Sequence, residues 1–270
     1  MTRDSRARIA QETVSISKRG CYIFNGVEKR LTPDDLYLLW EPFDMDGMCI
    51  DSIEHEGLYA GEIFLHSESV IDTIFNLQSR SIDGNKVGVL SFASAKNPGG
   101  GFLNGSMAQE EALAYCSNLY ESIKDSDLYA INARCKSTTY TDTAITCRVS
   151  FFRTSDFELV DIPYDVNIVT CPAVNMSRVR PDMIDEAKRV MVDRMSKIIA
   201  LMINRGYEYI ILGAYGCGVF RNDPKDIAST WHYLLVERNL RTYFKEIYFS
   251  IYEVPPDRNT REFSRVFGTI

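Results

Sequence analysis

The sequence predicts an α/β protein whose mixed or parallel sheet is covered by helices on both faces, and three observations lead there. Short apolar runs alternate with amphipathic helical stretches from residue 62 to residue 252. The runs at 87–92, 166–170 and 209–212 have the length of buried strands. Glycine-rich loops follow the first and the third of them, as ligand loops do at the carboxyl ends of parallel strands.

Taken in order, residues 3–19 predict an amphipathic helix, with Ile9, Thr13 and Ile16 at helical spacing and Gly20 placed to stop it. From 21 to 65 no period is sustained, and the stretch Trp40, Glu41, Pro42, Phe43, Asp44 is acidic and aromatic. A strand is expected at 62–66, a helix at 67–77, a turn at Asp83-Gly84-Asn85 and a strand at 87–92. Residues 106–124 read as one helix, with Ala112, Cys116, Leu119 and Ile123 on a single stripe. Strands at 147–153 and 166–170 precede a long helix at 181–204, where Ile184, Ala187, Met191, Met195, Ile198 and Met202 repeat every three or four residues. A strand at 209–212, a helix at 223–236 opened by Asp-Pro and a strand at 247–252 complete the pattern.

Composition narrows the classes of function. The 270 residues are 45% hydrophobic and 25% charged, enough for a sizeable core without disulfides or metals. No run reaches the length of a membrane span, and the polar N-terminus has no signal-peptide core, so a cytoplasmic protein is expected. Seven cysteines, an odd number without a CxxC pair, read as reduced thiols. With only His55, His66 and His232, no metal site is expected. A net charge of -7 disfavours broad binding to nucleic acid, so an anionic ligand must be gripped locally.

The chemistry concentrates after residue 92, where Asn97 and Pro98 lead into Gly99, Gly100 and Gly101, followed at 109–111 by Gln-Glu-Glu. Glycines lacking Cβ atoms let backbone N–H groups approach a phosphate; a mobile surface loop is the competing reading. Ser106 and Gln109 have the spacing of a capping box, which by itself accounts for Gln109 and an acid in the first turn. Adjacent helical residues point about 100° apart, so Glu110 and Glu111 are expected to meet different partners. A carboxyl here suits protonation of a glycosidic oxygen and activation of water. Neighbouring charges raise its proton affinity and a helix N-terminus lowers it, and the sequence leaves the balance open.

A second bare loop, Gly213-Ala214-Tyr215-Gly216-Cys217-Gly218-Val219-Phe220, runs into the helix start at Asp223-Pro224, an arrangement that suits a diphosphate. Either Phe220 or Tyr215 is positioned to stack on a base or cover a sugar, with ordinary packing an equal alternative. Cys217 reads as a small space-filler, since no histidine partner is evident. Arg178 and Arg180 are exposed cations suited either to solvent or to further phosphates.

At these residues the chain resembles the microbial-type poly(ADP-ribose) glycohydrolases of the macrodomain superfamily. The glycine triplet, seven intervening residues and Gln109-Glu110-Glu111 carry the resemblance, supported by residues 9–13, 141–153, 170–175 and 213–220. It implies a macrodomain-like three-layer α/β/α fold with a mixed central sheet, comprising a helical and irregular N-terminal extension at 1–65 and a catalytic core at 66–270. It further implies a cofactor-free enzyme that cuts the ribose–ribose bond of poly(ADP-ribose), from chain ends, and releases ADP-ribose. By position, Glu111 would be the acid/base and Glu110 would hold the distal ribose. Asn97 would bind that ribose, Gly99, Gly100 and Gly101 would lie on the diphosphate with Gln109 beside them, and Gly216, Cys217, Gly218, Val219 and Phe220 would complete the diphosphate site. A non-catalytic ADP-ribose reader and a mono-ADP-ribosyl hydrolase are the alternatives. The expected partners are ADP-ribosylated macromolecules, without sequence-specific nucleic acid or membrane.

Overall fold

The computed structural model describes residues 1–31, 42–44, 49–53, 56–135, 137–252 and 258–268. Helix α1 (Arg3–Arg19) starts at Thr2, whose side chain accepts the Ser5 N–H, and stops at Gly20 in the left-handed region, as the sequence predicts. The segment from 21 onward is more regular than its composition suggests. Strands β1 (Cys21–Phe24) and β2 (Val27–Arg30) form an antiparallel hairpin. Asn25 and Gly26 both take positive φ, which joins two strands through a tight turn matching their twist. Residues 32–41 lie outside the described residues, so the acidic aromatic stretch is described only at β3 (Pro42–Asp44). His55 also lies outside them.

The main sheet has seven strands in the order β3-β6-β7-β5-β8-β9-β4, with β4 (Glu62–His66), β5 (Val87–Phe92), β6 (Thr143–Arg153), β7 (Leu159–Cys171), β8 (Tyr209–Leu212) and β9 (Glu246–Ser250). Strands β7, β5, β8, β9 and β4 run parallel, while β3 and β6 are antiparallel to their neighbours. A domain boundary at 65/66 falls inside β4, which pairs with β9 along its whole length.

Alternation of side chains along the buried strands divides the core into two layers. Val87, Val89 and Ile211 face α2 (Val70–Ser79), α3 (Gln109–Cys116) and α1; Leu90, Ile210 and Leu212 face α6 (Ile184–Asn204), α7 (Pro224–His232) and α8 (Arg258–Phe267). The α6 stripe is buried from Ala187 to Met202, with Ile184 left exposed.

Two helical expectations are corrected. Residues 106–124 do not form one helix: α3 ends at Ser117, whose extended backbone bridges to Phe151, and α4 (Leu119–Ile123) begins anew. Asn118 fixes the break, because its side-chain oxygen accepts the Ser150 N–H at 2.8 Å and its own N–H bonds Ser150 O at 3.3 Å. Cys116, Leu119 and Ile123 are nonetheless buried, so the apolar stripe survives a change of axis. The 223–236 helix passes into a wider π turn at Tyr233–Glu237. Helix α5 (Asp127–Arg134) and α8 add to the predicted set. Among the described residues no helix is long and apolar enough to cross a membrane.

Candidate active site

Because β7, β5 and β8 are adjacent and parallel, the loops that follow them leave one edge of the sheet together. Phe92, at the end of β5, and Tyr215, beyond β8, bring two of these loops into contact, with ring centroids 5.7 Å apart.

The first loop turns through Gly99 (φ 66°) and Gly100 (φ 61°), conformations that side chains rarely adopt. Gly100 also lies against both acids: a Cβ there would stand 2.5 Å from Glu111 Oε1 and 3.2 Å from Glu110 Oε2. Phe102 anchors the tail of the loop, packed against Tyr115 and Tyr120, while the Tyr115 hydroxyl donates to Phe102 O and Ser106 O.

Gln109 does not pair with Ser106 in a capping box. The N-cap of α3 is Ala108, which offers no side-chain cap, and the Gln109 carboxamide instead accepts the Phe92 N–H and donates to Leu90 O, both at 2.8 Å. Pairing of β5 with β8 ends at Val89, so this side chain bonds the strand where its neighbour departs. That linkage fixes the start of α3, and with it both carboxyls, to the end of β5.

Glu110 and Glu111 do have different partners. Glu110 is 3% exposed and its Oε2 accepts the Ser94 N–H at 2.6 Å. Its Oε1 is buried and without a partner among the described residues. Burial pushes its carboxyl well above the ordinary range and the Glu111 charge adds to this, against the pull of the Ser94 and Gly99 N–H groups and the Tyr129 hydroxyl. Glu111 is half-buried; its Oε1 accepts the Gly101 N–H at 3.0 Å. One acid is thus sequestered with a vacant acceptor, and the other is tethered at one oxygen beside solvent. Asn97 is exposed at the lip of this loop, and its carbonyl accepts the Gly100 N–H.

In the second loop Gly216 has φ 73°, and a Cβ there would stand 2.6 Å from Asn222 Nδ2 and 2.7 Å from Ala173 Cβ. Asn222 ties this loop to the one after β7 by donating to Val174 O at 2.8 Å and to Gly216 O at 3.0 Å. Gly218 and Val219 are exposed, Cys217 is partly buried and Phe220 is half-buried, 6.1 Å between centroids from Tyr140. Tyr215 is the exception to its expected role, since it is fully buried and its hydroxyl donates to Cys171 O. It packs the base of the site and cannot stack on a ligand.

The structure therefore gathers Asn97, the glycine triplet, both acids and the Gly216 to Phe220 loop on one edge. Sequence reasoning missed Tyr129, Asn222 and the braces from α1. Tyr129 belongs to α5, which the Ser126-Asp127 pair before an apolar stripe would have signalled. On α1, Arg3 donates to Asn104 O at 2.7 Å and Arg6 to Gly105 O at 2.8 Å, which secures the end of the triplet loop.

Residues 10–154, more than half of the chain, match the family model of the microbial-type PARG catalytic domain. The chain belongs to the microbial-type poly(ADP-ribose) glycohydrolase family. Among solved structures of this family, the chain is similar to poly(ADP-ribose) glycohydrolase from Thermomonospora curvata, at 30% identity and TM-score 0.88, covering 98% of this chain and 100% of that one. The same enzyme bound to the inhibitor ADP-HPD matches with TM-score 0.85. The enzyme from Deinococcus radiodurans in complex with ADP-ribose matches at 33% identity and TM-score 0.71, over 77% of this chain and 84% of that one. No curated protein matches the chain.

Proposed function

We propose that this glycohydrolase binds the terminal ADP-ribose of a poly(ADP-ribose) chain between its two glycine loops and cuts the ribose–ribose bond with Glu111. The observation that carries the reading is the pair of unlike acids over Gly100. Glu111, with one oxygen held by Gly101 N–H and the other partnerless among the described residues, suits a group that gives and takes a proton. It protonates the leaving oxygen of the next unit and then, as the base, activates the water that attacks the anomeric carbon. Glu110 holds the distal ribose through the oxygen that the protein leaves unpartnered. The backbone N–H groups of Gly99, Gly100 and Gly101 on one side and of Gly216 to Phe220 on the other grip the diphosphate, while Asn97 and Phe220 order the ribose.

In this reading Gln109 acts through the backbone, keeping the acids in register with β5. The macrodomain core comprises the sheet and its helices, with residues 1–31 as a brace on the site. The chemistry of the donor set asks for no metal or cofactor. A cytoplasmic setting fits the seven cysteines, none of which forms a disulfide among the described residues.

A time course with poly(ADP-ribose), its products separated by chromatography, tests the activity: free ADP-ribose should accumulate, whereas a reader would release none. Glu111→Gln should abolish turnover while calorimetry still registers ADP-ribose binding. Full activity in that variant would remove Glu111 from the chemistry.

A further inference from the structure

Beyond Phe220 the surface changes character. Arg221 follows it in the left-handed region (φ 56°), exposed, and Arg178 approaches from the loop after β7, where the Ser177 N–H bonds Phe220 O at 3.1 Å. Neither guanidinium has an ion-pair partner among the described residues, although carboxylates are close by. Those carboxylates are already neutralised, Asp226 by Lys188 and Asp223 by Arg258, each at 2.8 Å. Two uncommitted cations thus flank the residue at the ribose end of the site.

Arg221 also opens onto a cavity of about 520 Å³ between α6 and α7, where Met191, Val192, Ile227 and Tyr233 share the lining with the paired Lys188 and Asp226 and with Asp223. Val192 and Tyr233 are 40% and 39% exposed, so apolar surface is presented to solvent within a concave site. The volume lies in the range that accepts a small planar ligand, and a tyrosine beside aliphatic side chains is a stacking surface for a nucleobase.

We propose that this cavity and the two arginines form a second subsite, which takes the penultimate ADP-ribose of the polymer: the diphosphate pairs with Arg178 and Arg221, and the adenine enters between α6 and α7. The inference rests on the glycohydrolase reading only for the identity of the ligand. The leaving oxygen belongs to the adenine-bearing ribose of that unit, so its base and its diphosphate branch from one sugar, and the cavity and Arg221, which lines it, would receive one each. Charge alone would attract any polyanion. A cavity beside the charges that offers Tyr233 and aliphatic side chains for stacking, and room for more than a base, favours a nucleotide over a bare polyanion.

Two variants separate these contributions, read as equilibrium affinity for a short poly(ADP-ribose) oligomer in the Glu111→Gln background beside affinity for ADP-ribose. Arg178→Ala with Arg221→Ala removes the cations, and Val192→Trp blocks the cavity from an exposed helix position without altering charge. Each should weaken oligomer binding by about tenfold, the loss expected for a pair of charge-assisted bonds or one stacked base. ADP-ribose affinity should stay within about twofold, because the terminal unit lies between the glycine loops. Unchanged oligomer affinity in Val192→Trp, or equal losses for oligomer and monomer, would overturn the subsite. If the unmodified protein released no ADP-ribose, the catalytic reading would fail, and the oligomer affinities would still decide the subsite.

Discussion

Glu110 is the residue whose environment departs furthest from what its place in a helix implies. A first-turn acid is ordinarily solvated and stabilised by the macrodipole. Here burial outweighs that benefit and, with the Glu111 charge, holds its proton affinity up. The raised affinity has a definite sign in stability. Between the ordinary value of 4.5 and the raised one, the folded state binds more protons than the unfolded state, so stability falls as pH increases through that window. Glu110→Gln should flatten this decline in pH-dependent thermal melts while lowering turnover.

Tyr129 faces Glu110, and burial pushes its own phenol well up, with the Glu110 charge adding to this. Its hydroxyl is buried and unpartnered by hydrogen-bond geometry among the described residues. Tyr129→Phe removes a group that draws Glu110 toward ionisation, so any Glu110-dependent limb of the pH profile should move upward. Turnover should fall by up to about tenfold, because Glu110 loses a neighbouring dipole that favours its charged form. At Gly100, an added methyl meets both the steric limit and the positive φ, so Gly100→Ala should lose ADP-ribose binding in calorimetry.

That the triplet and the two acids adjoin was legible because they lie close together in the sequence. Gln109 was not, since a capping-box spacing says nothing of a strand edge that the fold delivers to the same side chain. Tyr215 misled for a related reason: an aromatic in a ligand loop and an aromatic beneath it look identical until burial is known.

At the scale of elements, the site is held by helices acting through ion pairs whose arginines are buried. Arg153, at the end of β6, binds Thr13 and Phe157 O and pairs with Glu12 at 2.8 Å, so α1 is fastened to the sheet by a nearly buried guanidinium. This joins two stretches that carry the family resemblance, 9–13 and 141–153. Removing residues 1–19 should strip Arg3 and Arg6 from the triplet loop and abolish turnover, with a loss of thermal stability from the exposed α1 seat.

Asp142 performs a similar task at the start of β6. It receives Arg194, fully buried on α6, and Lys197. Burial opposes its charge, but the bonds from Lys197 and the Arg194 charge prevail and hold its carboxyl below the usual range. Asp142→Asn would leave Arg194 buried without its counter-charge, a loss of about 3 kcal/mol in chemical denaturation, at the low end because Asp142 borders solvent. Neither pairing could be read from the chain, whose members lie more than fifty positions apart. The β1–β2 hairpin, in contrast, was written in its Asn25-Gly26 turn between a short apolar strand and a charged one, a signal obscured by the irregular composition around it.

For the whole molecule, strand order follows from alternation only in part. A mixed or parallel sheet was expected from the alternation of strands and helices, but not that β5 would lie between β7 and β8. The antiparallel β6–β7 hairpin, joined by residues 154–158, was not, because both strands extend well beyond the apolar segments that announced them. Acid should act on the molecule as a whole. Asp142, Glu208 and Glu246 are all held below their ordinary values, Glu208 first by its bond from Lys245 and Glu246 first by its bond from Arg80. Their contribution is present above the ordinary 3.8 and 4.5 and is lost as pH falls through the lowered folded values, so melting temperature should decline steeply on acidification below that range.

The parallel strands bring two bare loops and two unlike acids to one edge, and the account stands on that convergence. A crystal structure of the Glu111→Gln protein with ADP-ribose measures it most directly. The diphosphate should lie between Gly99–Gly101 and the Gly216 to Phe220 backbone, with the distal ribose in hydrogen-bond reach of Glu110 and its anomeric carbon facing residue 111. Nucleotide bound elsewhere, or bound here with the distal ribose turned away from both carboxyl positions, would contradict it.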